Sequence, residues 1–246
     1  MEQLVSKICA LVKSCGRIVL QADREGMDID SKSGIANFVT EYDKMVQERL
    51  RIGLLSICPS ATFIGEEGEQ TAFSNQGVFF IVDPIDGTTN FIKDYHISCI
   101  SVAYVQEGKL TAAVLYNPYL DEMYTAICGK GAFCNGKRIS VSKQPLENGI
   151  VLFGTSPYNA ELSKKSFEMA YDYCQKALDI RRSGAAVWDL CCIASGRAEL
   201  FFELQLSPWD YAAGTLLVRE AGGIVTTIDG GAITLDKPCS ILARNM

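Results

Sequence analysis

The stretch GVFFIVDPIDGTTN, residues 77–90, drives an apolar run straight into two acids and a glycine turn. Val78 to Val82 offers no polar face, so it reads as a strand buried on both sides. A carboxylate at the end of such a strand is costly unless it is paired or holds a cation. Asp83 and Asp86 are three residues apart, with Pro84 stiffening the turn and Gly87 allowing close backbone approach. Two such acids can serve one hard cation such as magnesium, which takes oxygen ligands. The Gly87 and Thr88 amides, if they open a helix, would face an anion. The bland alternative is turn chemistry, in which the same acids cap backbone N–H groups.

Two other segments place acids at the ends of apolar elements. FIGEEGE (63–69) puts Glu66 and Glu67 at the end of a short strand, as a second contribution to a cation cluster or as a solvated loop. SPWDYAAG (207–214) places Asp210 in the first turn of a helix with Ser207 as N-cap and Pro208 at the first helical position. The helix dipole favours an acid there, and a third carboxylate brought to the first pair would complete a two-metal site.

The rest of the chain reads as alternating helices and strands. An amphipathic helix spans 3–22, with Leu4, Val5, Ile8, Leu11, Val12, Cys15, Ile18 and Val19 on one face. Residues 25–38 read as a loop or hairpin, and 40–57 as a helix opened by Thr40 and Asp43 in a capping-box pattern. Residues 97–127 alternate and break at EGK and NPYLD, the pattern of an antiparallel meander. Strands are expected at 149–153, 178–182, 198–204, 224–228 and 240–244, with helices at 159–177, 184–196 and from 207 to the Gly222–Gly223 pair. This predicts an α/β chain of layered α+β character, two sheets with helices in one unit over 1–246. Its halves divide near 145, with the metal-site acids and meander in 1–145 and an α/β part in 146–246.

Composition narrows the function. With 48% apolar and 21% charged residues, the 246-residue chain can bury a sizeable core. A net charge of −6 disfavours nucleic acid and anionic membranes as partners. No apolar run is long enough to span a bilayer, and the N-terminus reads as a helix rather than a signal peptide. Ten scattered cysteines without a CxxC pair read as reduced, mostly buried thiols of a cytoplasmic protein. The single histidine, His96, reads as a loop residue, and there is no GxSxG elbow, so hydrolysis would rest on carboxylates.

Taken together, GEE (65–67), DPIDGTTNF (83–91) and PWDYAAG (208–214) resemble the inositol monophosphatase family of lithium-sensitive, magnesium-dependent phosphatases. VTEYD (39–43), GKGAFCNGKRI (129–139), RRSGAAVWDL (181–190) and REAGG (219–223) support the resemblance, which covers nearly the whole chain. It implies an α-β-α-β-α five-layer sandwich, a homodimer and two to three Mg2+ ions. Glu66, Asp83 and the Ile85 carbonyl would hold the first ion, and Asp83, Asp86 and Asp210 the second. Glu66 would also serve a weaker third ion through waters. Thr88 would position the attacking water, with Thr40 and Asp43 helping to activate it, and Gly87 and Thr88 would receive the phosphate. Lys32 falls near a mobile-loop lysine of the family.

The alcohol half would meet Asp86, Gly184, Ala185, Ala186, Glu203 and Asp210. A strand-edge acid facing water is the plainer reading of Glu203. The implied reaction is hydrolysis of inositol 1-phosphate or a similar polyol or sugar phosphate by a metal-activated water. Ser207 replaces a histidine of the animal enzymes, which leaves fructose 1,6-bisphosphate, nucleotide 3'-phosphates and histidinol phosphate as alternatives. A regulatory binding protein of transcription or ribosome maturation is the alternative from a different class.

Overall fold

Acidic first turns and apolar stripes set the helices Glu2–Leu20, Glu41–Ile57 and Ala160–Cys174 in the computed structural model, which describes residues 1–31, 38–68 and 71–246. Among the described residues the α-helices are α1 (Glu2–Leu20), α2 (Glu41–Ile57), α3 (Thr88–Ile92), α4 (Ala160–Cys174), α5 (Ala186–Ala194) and α6 (Pro208–Glu220). A small antiparallel hairpin pairs β1 (Ile29–Ser31) with β2 (Phe38–Thr40). Seven strands form one sheet in chain order: β3 (Thr62–Gly65), β4 (Val78–Asp86), β5 (Cys99–Gln106), β6 (Lys109–Asn117), β7 (Glu122–Ile127), β8 (Gly131–Cys134) and β9 (Lys137–Ile139). Only β3 and β4 run parallel; the rest is the antiparallel meander the sequence predicts, extended by β8 and β9. The second sheet comprises β10 (Ile150–Phe153), β11 (Asp179–Arg181), β12 (Leu200–Leu206), β13 (Ile224–Thr226) and β14 (Cys239–Arg244). Its order is β11-β10-β12-β14-β13, and β10 runs parallel to both β11 and β12.

Three apolar clusters show how these pieces stack. The stripe of α1 (Val5, Ile8, Val12, Cys15, Val19) joins Val46, Leu50 and Leu54 of α2 against Phe80, Val82, Val102 and Val114 of the large sheet. The other face of that sheet, with Phe79, Ile81, Ala103 and Val105, packs on α5 and α6, whose far sides meet Phe201 and Ile241 of the small sheet. The outer face of the small sheet, with Val151, Phe153 and Phe202, is covered by Ala170 and Met169 of α4. The order is α1/α2, large sheet, α5/α6, small sheet, α4: the mixed α/β layering expected. The strand Val78–Val82 is buried on both faces because each face has its own helical layer.

Several boundaries differ from the sequence reading. β4 continues through Pro84 to Asp86 instead of stopping at Asp83. Its register against β5 shifts between Asp83, opposite Ser101, and Asp86, opposite Cys99. Three steps on β4 are matched to two on β5, which is a bulge. α5 ends at Ala194, before Gly196, and α6 ends at Glu220, before the glycine pair. All ten cysteines are unbridged, but only Cys15, Cys99, Cys191 and Cys192 are buried, and Cys128 and Cys174 are exposed. Among the described residues no helix is long and apolar enough to cross a membrane.

The middle layer ties the two sheets together, and within it Leu190 of α5 packs against Gly214 of α6, where a Cβ would overlap the leucine side chain. Leu190 is fully buried. Truncation to Leu190→Ala is expected to cost about 2–5 kcal/mol. Urea unfolding checks this: the midpoint should fall while the slope stays near the wild-type value.

Candidate active site

Parallel strands open a crevice beyond their carboxyl ends. Both sheets contribute one here, because β3 and β4 are parallel in one, and β10, β11 and β12 in the other. A cleft of about 470 Å3 lies there, lined by residues that follow β3 (Glu66), β4 (Gly87, Thr88), β10 (Gly154, Ser156), β11 (Arg182, Gly184) and β12 (Ser207, Asp210). Asp83, Asp86 and Glu203, on the strands themselves, complete the wall.

The bulge in β4 decides the geometry of the two aspartates. In a regular strand, residues three apart face opposite ways. The extra residue reverses the alternation, so Asp83 and Asp86 share the face of their partners Ser101 and Cys99, toward the α5/α6 layer. Ile85 points to the opposite core. Asp83 Oδ1 accepts the Ile85 N–H at 3.0 Å, which tightens the turn.

Asp86 caps a distant helix. Ala185, the N-cap of α5, has no side chain able to satisfy the first amides. Asp86 does so across the chain: Oδ1 accepts from Ala186 N at 3.2 Å and Oδ2 from Val187 N at 2.9 Å. Gly87 has φ +83°, and a Cβ there would press on Ala185 and the Ile97 carbonyl, so only glycine fits this turn. Asn90 adds a second tie, donating to Ile97 O at 2.8 Å and Ser183 O at 3.0 Å.

Capping boxes place the two other acids at helix starts, the one at α2 as the sequence predicts and the one at α6 where the sequence reading has only Ser207 as N-cap and an acid in the first turn. Thr40 and Asp43 bond reciprocally at α2, with Thr40 Oγ1 donating to Asp43 Oδ2 at 2.5 Å. Ser207 and Asp210 do the same at α6, with Ser207 N donating to Asp210 Oδ2 at 2.7 Å. The remaining oxygen of Asp43 reaches Thr88, whose hydroxyl lies 3.2 Å from both Asp43 Oδ1 and Ile85 O.

Glu203 corrects the plainer sequence reading. It sits on a central strand and is buried, not on an edge facing water, and its Oε1 accepts the Ser156 N–H at 3.0 Å. Residue 32 lies outside the described residues. His96 is exposed at φ +61°, stacked on Tyr119 and away from the cleft. Sequence reasoning missed Arg182, Asn90, Ser156 and the buried Asp189 as cleft residues. Only Asp189 left a signal, a charge inside the apolar run AVWDLCCIA.

Confinement raises the pKa of these acids. Burial, then the charge of Glu66 and the other aspartates, pushes Asp83 well above the usual carboxylate range. Burial likewise raises Asp210 and lifts Asp86 to about 8, opposed there by the α5 amides. Burial moves Asp43 to about 6 against the pull of Thr40, and Glu203 to about 7 against Ser156 and Arg182. No set of three acid, histidine or cysteine side chains among the described residues already closes on one point as a metal cage. The donor chemistry nevertheless fits a hard cation: six carboxylates (Glu66, Asp83, Asp86, Asp189, Glu203 and Asp210) line one cleft in which Arg182 is the single described cationic side chain.

A family model described as the inositol monophosphatase family matches residues 1–245. The chain is 38% identical over 202 residues to the Nus factor SuhB of Escherichia coli K12, covering 82% of this chain and 76% of that one. It is 37% identical over 243 residues to inositol monophosphatase 2 of Solanum lycopersicum, covering 96% and 91%. The extragenic suppressor protein suhB of Bartonella henselae superposes with a TM-score of 0.91 at 34% identity, covering 99% and 94%. An IMPase/NADP phosphatase complexed with Mg2+ and phosphate gives 0.88 at 28% identity over 99% and 91% of the two chains. A dual-specific IMPase/NADP phosphatase bound with D-inositol-1-phosphate gives 0.86, again at 28%, over 99% and 91%.

The raised acids set a pH dependence for the metal-free protein. Between its unfolded and folded pKa, each acid binds more protons when folded, so stability falls as pH rises. For Asp43, Glu203 and Asp86 the window runs from about 4 to about 8. Melting in EDTA should therefore occur at lower temperature at pH 8 than at pH 5, and Glu203→Gln should flatten the section up to pH 7. Magnesium should raise the melting temperature more at pH 8 than at pH 5.

Proposed function

The chain belongs to the inositol monophosphatase family, and on that footing we propose that it is a magnesium-dependent phosphomonoesterase acting on inositol 1-phosphate or a similar polyol phosphate. The observation that carries the proposal is the bulge that turns Asp83 and Asp86 to one face of a cleft shared with Glu66 and Asp210. Glu66, Asp83, Asp86, Asp210 and the Ile85 carbonyl are the groups that would hold two to three Mg2+ ions. Bound there, the ions supply positive charge against the phosphate and lower the pKa of water.

The protein's own groups divide the remaining work. The Thr88 hydroxyl, held between Asp43 Oδ1 and Ile85 O, orients the attacking water and passes a proton toward Asp43. With a pKa near 6, Asp43 is a carboxylate at neutral pH and still basic enough to accept one. Thr40 fixes that carboxylate by its hydroxyl and its amide, at 2.5 and 2.7 Å. The Gly87–Thr88 turn faces the phosphate. Gly184, Ala185, Ala186 and Glu203 border the alcohol half, where Glu203 accepts a hydroxyl.

Phosphate release from inositol 1-phosphate, fructose 1,6-bisphosphate and 3'-phosphoadenosine 5'-phosphate, with magnesium and with EDTA, tests this. Turnover of the inositol ester should lead and be lost in EDTA. Asp83→Asn should lower it by about 100-fold or more, the scale of several kcal/mol of lost metal assistance. Preference for another ester would replace the substrate and keep the chemistry. Lithium should inhibit by competing for the weakest cation position.

Similarity to proteins named Nus factor SuhB supports a second reading, a regulatory contact with transcription machinery. An Asp83→Asn gene that restores every defect of a deletion strain would favour it. The assembly expected for either role is a homodimer, which sedimentation would check.

A further inference from the structure

The turn after β10 bears on Glu203 in three ways. Gly154 N donates to Phe202 O at 2.9 Å, which brings its Cα against the Glu203 side chain. A Cβ on Gly154 would fall inside the Glu203 carboxylate. Ser156 then gives its N–H to Glu203 Oε1 at 3.0 Å and accepts the Gln205 N–H on its Oγ at 3.1 Å.

Ser156 does this at φ +42°, a left-handed conformation that costs a non-glycine residue energy and persists only where its surroundings impose it. Glu203 itself lies at a second bulge, where the β12–β14 register shifts between Glu203 and Leu206. Arg182, just after the neighbouring strand β11, reaches the same turn, donating to Thr155 Oγ1 at 3.4 Å. One Glu203 oxygen is thus committed to Ser156, and the missing Gly154 side chain sets where the other lies.

We infer that the Gly154–Ser156 turn is a clamp that positions Glu203 and so sets selectivity for alcohol halves bearing a hydroxyl. This rests on the reading of the cleft as a polyol phosphatase. Gly154 and Ser156 are positioning residues; the contact with the alcohol belongs to Glu203. A substrate whose alcohol half lacks hydroxyls gains nothing from the clamp.

The test is a double-mutant cycle on the full-length protein: wild type, Gly154→Ala, Glu203→Ala and the double variant. Each is assayed with magnesium on inositol 1-phosphate and on phenyl phosphate, and melted alone. Gly154→Ala should raise KM for the inositol ester about tenfold more than for phenyl phosphate, the scale of one displaced hydrogen bond. In the Glu203→Ala background the same change should cost less than about twofold, because the overlapping carboxylate is gone. Melting temperatures should show the same non-additivity. Equal losses on both esters, or effects that add in the double variant, would overturn the clamp. If the wild type cleaves neither ester, the polyol-phosphate reading fails, and the melting cycle alone decides the clamp: additive shifts overturn it.

Discussion

Like charge held in a small, largely buried space is the constraint on which this structure turns. Asp83, Asp86 and Glu203 are buried, and they share one cleft with Glu66 and Asp210. Burial of an unpaired carboxylate costs several kcal/mol, so such a group protonates, pairs or binds a cation. The raised pKa values of Asp43, Asp86 and Glu203 express the first option, and the donor set of the cleft supports the third. Energy that a purely structural core would not spend is held ready for a ligand.

The scaffold keeps these acids in place by giving several of them a second task. Asp43 and Asp210 close capping boxes at α2 and α6, and Asp86 caps α5 from a strand 100 residues away. Each donated amide favours the ionised form and partly offsets the cost of burial. It also fixes the carboxylate against a rigid element, which a cation site requires. The turn chemistry and the metal chemistry weighed against each other in the sequence are thus compatible for the same residues.

Strand direction gives the cleft its place. Among the five strands of the small sheet, β10, β11 and β12 are parallel, and α4 and α5 cover opposite faces. The step from β10 to β11 and the return to β12 run in opposite directions, so right-handed crossovers place the two helices on opposite sides. The carboxyl ends of these strands and of β3 and β4 then face one another. Acids from both sheets meet at that junction.

Much of this was legible in the residues themselves. The capping box at Thr40, the helix start at Ser207, the doubly buried strand before Asp83 and the meander at 97–127 follow from local chemistry, because caps, periodicity and turns act within a few residues. What the tertiary structure alone decided was direction and proximity. Nothing in DPID announces that its backbone bulges against β5, yet that one extra residue turns both aspartates to the same face. Only the family resemblance pointed to Glu203, because its burial comes from β10, β14 and the Ser156 turn, all remote in sequence. Asp189 and Arg182 went unread for the same reason. The residue types that can hold a cation are written locally, whereas their convergence depends on strand register and layer packing, which no short stretch contains.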